Sequence, residues 1–253
     1  MNIIFSSGGN DSVALIQWAT ENLDNCIVAY SDTQWASEDW KPRMIEVEKF
    51  VVDSGFEFAL IKSEGFKSLV KRKKGFPANG MAFCSFELKI KPALEWLETI
   101  DPDKKATCYT GVMRIESKER AKWPVVVKNS PNHGDRKLVS PLACMTLERR
   151  DELLESAGFD ILPYRSRECN PCVNATISDL QQLPEKDVIK VFKLEEEMGV
   201  GKRSGKPKYM FRPHRMGGAC GIKQVKARAD RGGGSFSPLQ EDMFGCDSGF
   251  CGG

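Results

Sequence analysis

Apolar positions come first as a short run, Ile3-Ile4-Phe5, and return at helical spacing at Val13, Ala14, Leu15, Ile16 and Trp18. The polar, glycine-rich hexapeptide Ser7-Gly8-Gly9-Asn10-Asp11-Ser12 separates them. A brief apolar run ended by glycine predicts a buried strand, and the spaced run predicts a helix opening at about Ser12 and lasting to about Asn22. The alternation then repeats. Residues 26–31 and 56–61 read as strands, with 39–53 as the helix between them. Residues 89–100 read as a helix with Pro92 in its first turn, where a missing N–H costs nothing. Residues 107–112 read as a fourth strand and 137–141 as a last short one. A further helix is predicted over 146–158, with Thr146 as its N-cap. Strands alternating with helices predict an α/β fold, a mainly parallel sheet with helices on both faces.

The hexapeptide carries the first chemistry. Two glycines let the backbone turn at positive φ and approach a ligand with no Cβ in the way. N–H groups of the turn and of the first helical turn converge on one point, which the positive end of the helix dipole reinforces. Ser7 and Ser12 add hydroxyl donors. The turn is therefore read as a phosphate site, although it is neither a GxxxxGK[ST] loop nor a GxGxxG turn. In open parallel sheets ligands bind beyond the carboxyl ends of the strands, where this turn would lie.

Composition adds an appendage to that picture. The 253 residues, 41% hydrophobic and 28% charged, suffice for one α/β unit over 1–165 and a smaller region over 166–253. That second region is expected to be irregular, rich in cysteine and basic. Between Lys202 and Arg231 ten Lys or Arg face a single acid, Asp230, so this stretch carries +9 and the remainder −7. Tyr209, Phe211 and His214 are interleaved with it, a composition able to track a phosphate backbone and stack on bases. A solvated basic stretch and a lure for a small polyanion are the competing readings. No apolar run approaches the ~18 residues of a membrane span and no leader precedes the first strand, so a cytoplasmic protein is expected. Nine cysteines in such a chain read as reduced thiols or metal ligands.

Ser-Gly-Gly-x-Asp-Ser behind a first strand resembles the pyrophosphate loop of the adenine-nucleotide α-hydrolase superfamily. Other segments carry the resemblance further. Ser31-Asp32-Thr33 with Glu38, Cys84 through Lys89 to Pro92, and Gly111-Val-Met-Arg114-Ile-Glu116-Ser117-Lys-Glu-Arg120 follow in order. Ser140-Pro141-Leu142, Leu162-Pro163-Tyr164 and Cys169-Asn-Pro-Cys172 complete the series. Over residues 1 to about 174 the chain resembles the phosphoadenosine phosphosulfate (PAPS) reductase family. The resemblance implies ATP or a sulfonucleotide on Ser7, Gly8, Gly9, Asn10, Asp11 and Ser12, with Asp32 and Thr33 lining the nucleotide pocket. It implies Mg²⁺ near Asp11, and Lys89, Arg114 and Arg120 holding phosphate charge. Met113 replaces the usual first arginine of its motif, and the loop is intact where a sulfonucleotide reductase is expected to carry a degenerate one. The first leaves substrate-anion binding to Arg114 and Arg120 alone, and the second resembles the ATP-cleaving branch.

Cys169 and Cys172 have the spacing at which two thiolates share one metal or cluster. By the resemblance, Cys84 joins them to hold three corners of a [4Fe–4S] cluster, with Cys220, Cys246 or Cys251 as a fourth ligand or an open iron. A zinc site and a redox dithiol are the alternatives. Cys220 also reads as a catalytic thiol on a mobile loop, and Cys246 and Cys251 as a sulfur relay. Cys26, Cys108 and Cys144 read as core residues. The expected activity is cleavage of ATP to AMP and pyrophosphate, adenylating tRNA or DNA for sulfur transfer with a sulfur-donor protein. A PAPS or adenosine phosphosulfate reductase and a non-catalytic nucleotide-binding module are the alternatives.

Overall fold

The computed structural model describes residues 1–78, 81–118, 120–202, 204–211, 218 and 220–232. Its elements run β1 (Asn2–Ser6), α1 (Asn10–Asn22), β2 (Cys26–Asp32), α2 (Trp40–Asp53), β3 (Glu57–Lys62) and α3 (Phe66–Lys73). A helical turn α4 (Phe83–Ser85) passes through a π-helical turn (Phe86–Ile90) into α5 (Lys91–Ile100). Then come β4 (Thr107–Tyr109), β5 (Val126–Ser130), β6 (Arg136–Val139) and α6 (Leu147–Ser156). The helices α7 (Ile177–Gln181), α8 (Glu185–Met198) and α9 (Gly221–Asp230) follow.

The six strands are ordered β3-β2-β1-β4-β6-β5. All neighbours are parallel except β5, which runs antiparallel along β6 at one edge. Successive side chains of β1 go to opposite faces. Ile4 joins a cluster with Leu15 of α1, Val47 of α2 and Leu153 of α6. Ile3 and Phe5 join another with Ala93 and Leu97 of α5 and Leu138 of β6. Each such fully buried Ile or Leu contributes roughly 1.5–3 kcal/mol. Helices thus cover both faces, as the alternation predicts. The strand order reverses beside β1, so the β1–α1 turn and the segment after β4 share one crevice.

Several elements depart from the sequence reading, the unpredicted helix α3 among them. The fourth strand stops at Tyr109, because its ladder partner β6 ends at Val139. The edge strand β5, whose Val126 is exposed, has too little buried periodicity to be seen. The stretch 202–231 is not merely a solvated chain. Ile222, Val225 and Ala229 bury one face of α9 against Leu180, Val188 and Val191. The same cluster takes in Trp35, Phe66, Leu69 and Leu88, so the C-terminal helices share a core with α3 and the π turn. Glu195 of α8 pins this region, accepting from the backbone N–H groups of Met210 and Ile222 at 3.0 Å each. Among the described residues no helix is long and apolar enough to cross a membrane.

Candidate functional site

Between Ser6 and Asn10 the backbone turns through Gly8 at φ +75°, a conformation that L side chains rarely adopt. A Cβ on Gly8 would also stand 2.5 Å from Met44 Sδ. The serine hydroxyls organise the turn from within. Ser7 N donates to Ser12 Oγ at 3.0 Å, and the two hydroxyls lie 3.0 Å apart. The carbonyls are held by protein donors. Trp40 Nε1 and Ser166 Oγ both donate to Ser7 O at 3.2 Å, and Arg43 Nε donates to Gly8 O at 3.3 Å. The N–H groups of Asn10, Asp11 and Ser12 open α1 and so have no intrahelical acceptor. Together with the helix dipole they make an anion site.

A strap over 159–170 clasps this turn. Asn10 donates to Leu162 O at 2.9 Å and accepts from Leu162 N at 3.0 Å. Farther along, Arg167 O accepts from Ser37 N at 3.0 Å, Glu168 O from Thr33 Oγ at 2.9 Å, and Trp35 O from Asn170 N at 2.9 Å. Thr33 is therefore a buried anchor of the strap. Asp32 caps its own turn, its Oδ1 accepting from Gln34 N at 2.8 Å.

Asp11 is buried and looks into the protein. Its Oδ1 accepts from Arg150 Nη1 of α6 at 3.0 Å, and it shares a hydrogen bond with Glu116. Glu116 in turn pairs with Arg120 and accepts from Met113 N at 3.0 Å. Burial first, and the Glu116 charge second, push the Asp11 carboxyl from its ordinary 3.8 up to about 7, against the opposing pull of Arg150. Gly111 makes this packing possible, since a Cβ there would meet the Asp11 carbonyl oxygen at 2.8 Å. Arg114 lies apart from this chain of charges, donating through Nε to Trp123 O at 2.8 Å and through Nη1 to Cys144 Sγ at 3.2 Å.

Lys89, on the π turn, forms a buried ion pair with Glu168 at 2.5 Å. The pair lines an open cleft together with Tyr164, Arg167, Cys169, Cys172 and Gln182. Arg167 stacks 3.8 Å over the Tyr164 ring. Burial, and then the neighbouring Cys172, drive the Cys169 thiol well above its ordinary range, with Cys84 adding to the shift. A soft cation taking the Cys169 thiolate would have to displace that proton. Among the described residues, however, no three His, Cys, Asp or Glu side chains converge to hold a metal ion.

A family model described as "Phosphoadenosine phosphosulfate reductase domain" matches residues 1–195. The chain belongs to this family. It runs through the loop, the clasp and most of α8. No curated protein matches. Among solved structures, a phosphoadenylyl-sulfate (PAPS) reductase from Candida auris in a phosphate complex aligns at TM-score 0.44 and 11% identity, over 62% of this chain and 74% of that one. An NMN synthetase from Francisella tularensis aligns at TM-score 0.47 and 11% identity, over 96% and 87%.

The turn residues Ser7 to Ser12 thus sit together with Glu116, Arg120 and Arg150 at one crevice, while Lys89 lines the adjoining cleft with Cys169 and Cys172. Cys220 is not on a free loop: it is half-buried as the N-cap of α9, its N–H donating to Gln224 Oε1 at 3.1 Å. Cys144, expected in the core, is exposed, whereas Cys26 and Cys108 are buried, their thiols raised to about 11 and about 12 mainly by burial. Cys246, Cys251, Arg212, His214 and Arg215 lie outside the described residues. Arg43, Arg150, Ser166 and Glu168 were missed by the sequence reading. Each reaches the site from a distant segment and belongs to no motif around the loop, so no local signal marks it.

Proposed function

We propose that this PAPS reductase family member binds the phosphates of ATP at Ser7–Ser12, cleaves ATP to AMP and pyrophosphate, and adenylates an acceptor for sulfur transfer. The observation that supports this best is the loop itself: carbonyls turned onto Trp40, Arg43 and Ser166, N–H groups left at the α1 terminus, and Gly8 in the one conformation that permits it. An oxygen of the leaving pyrophosphate would meet preorganised donors there, the electrostatic work such a transfer needs. Arg120 and Arg150 keep the Asp11–Glu116 pair from turning the crevice anionic. The α9 face, with exposed Lys223, is our candidate surface for tRNA or DNA.

Mg²⁺ would neutralise the pyrophosphate as it leaves. The Asp11 carboxylate already serves Arg150 and Glu116, so no step is drawn through a metal at that residue. Cys84, Cys169 and Cys172 are the thiols the resemblance offers to a [4Fe–4S] cluster or zinc, but among the described residues they do not converge on a metal site, so no step is derived through such a group. The family match favours a second reading, reduction of a sulfonucleotide with release of sulfite. One experiment separates them: pyrophosphate release from ATP, with and without tRNA or DNA, on anaerobically purified protein assayed for iron and zinc. Release of pyrophosphate dependent on nucleic acid supports the proposal. Sulfite released from PAPS or adenosine phosphosulfate with a thiol reductant, and no pyrophosphate from ATP, overturns it.

A further inference from the structure

No Lys or Arg precedes Lys41 in the sequence, so β1, α1 and β2 bring no cation to the loop they build. The cations that reach its surroundings are mostly matched. Arg150 pairs with Asp11 and Asp151, Arg120 with Glu116, and Lys89 with Glu168. Arg43 of α2 differs. It is only 8% exposed, and its Nη2 is buried with no hydrogen-bond partner. Among the described residues no carboxylate lies within ion-pair distance of it, and Glu46, Asp160 and Tyr164 act on its charge only from farther off. Its other groups are fixed: Nε donates to Gly8 O at 3.3 Å, Nη1 to Asp160 O at 3.5 Å, and the guanidinium lies 4.6 Å over the Phe159 ring. In a guanidinium, Nη2 shares an edge with Nε, so its open N–H faces the loop beside the Gly8 carbonyl. A buried cation without a counter-charge is expensive, and the π face of Phe159 offsets that only in part.

We propose that Arg43 is the cation of the phosphate loop, its charge answered by the pyrophosphate group of the ligand seated at the α1 N-terminus. It acts from behind the loop, through its charge and by holding the Gly8 carbonyl away from the anion. In GxxxxGK[ST] loops a lysine within the loop has that part. Here a residue one helix later supplies it. The inference rests on the reading above that this loop takes phosphate.

The test is calorimetric titration of the full chain with inorganic pyrophosphate, for wild type, Arg43→Met, Arg43→Lys and Arg43→Gln, with the ligand-free melting midpoint of each. Arg43→Met and Arg43→Gln are expected to weaken pyrophosphate binding roughly ten- to hundred-fold, the scale of a unit charge acting across the thickness of the loop. Arg43→Lys, which keeps the charge, recovers part of it. A lower midpoint with unchanged pyrophosphate affinity in the neutral variants makes Arg43 a packing residue and overturns the inference. So does an Arg43→Lys protein as weak as Arg43→Gln. Should Arg43→Met fail to fold, the Lys and Gln pair decides. A wild type that does not bind pyrophosphate removes the phosphate-loop reading itself, an outcome read before any variant is made.

Discussion

Replacing Asp11 by asparagine should make this protein more stable at pH 8, and by a smaller margin at pH 5. In the native state the Asp11 carboxyl holds its proton up to about 7, against an ordinary 3.8 once unfolded. Between those values the folded chain binds more protons than the unfolded one, so stability is highest below 3.8, falls as pH rises from there to about 7, and levels off above. At about 1.4 kcal/mol per pH unit, a gap of about three units sets a ceiling of roughly 4 kcal/mol. Asparagine is isosteric with the protonated carboxyl. It offers an oxygen to Arg150 and an N–H to Glu116, and it carries no charge to be penalised. Arg150 keeps Asp151 as its partner at 2.6 Å. The expected gain at pH 8 is therefore about 1–4 kcal/mol, falling to less than half of that at pH 5 and vanishing only below 3.8. Urea unfolding of both proteins at the two pH values measures it. Groups such as His133, whose imidazole is lowered by burial to about 4, titrate alike in both proteins and cancel in the comparison. A difference between the proteins that does not change with pH would refute the shared-proton account.

Gly111→Ala places a Cβ against the Asp11 carbonyl, a backbone atom that cannot swing aside, and should cost about 1–3 kcal/mol in urea unfolding together with loss of pyrophosphate binding. Lys89→Met leaves Glu168 buried without its cation and should cost about 3–5 kcal/mol. The double change with Glu168→Leu should restore much of that loss, and equal damage from the single and double variants would contradict the ion-pair argument. Glu195→Ala removes the acceptor shared by Met210 N and Ile222 N, so limited trypsin digestion should cut within 202–231 several-fold faster than in wild type, with the sheet core left intact.

The loop and its flanking elements were legible because their signals are local. Apolar Ile3-Ile4-Phe5, two glycines and the spaced residues of α1 lie within one window, and Thr146 caps α6 by accepting from Arg149 N, as its side chain suggests. The elements that escaped have their pattern masked. In α3, Phe66, Leu69 and Val70 are buried among four Lys or Arg, and in α9 the spacing of Ile222, Val225 and Ala229 is overshadowed by charge. The strand β5 exposes part of its apolar surface at the sheet edge, so periodicity has little to detect. Site residues divide the same way. Ser7, Gly8 and Ser12 announce themselves by proximity, whereas the partners that fix Asp11, Asn10 and Ser7 stand at Arg150, Leu162 and Ser166. Only the folded chain brings these together.

The strap that clasps the turn also sets the order in which the molecule becomes competent. Asn10 meets Leu162 across 152 positions, and Ser7 meets Ser166 across 159. Every strand of the sheet precedes that strap in the chain. During synthesis from the N-terminus, the sheet can assemble while the turn beside it still lacks half of its supports. A chain interrupted before residue 160 would carry the glycine turn and the sheet but not the clasp. Anion binding at the first turn therefore reports on a segment made more than a hundred residues later, and only a chain grown past the strap has a finished site.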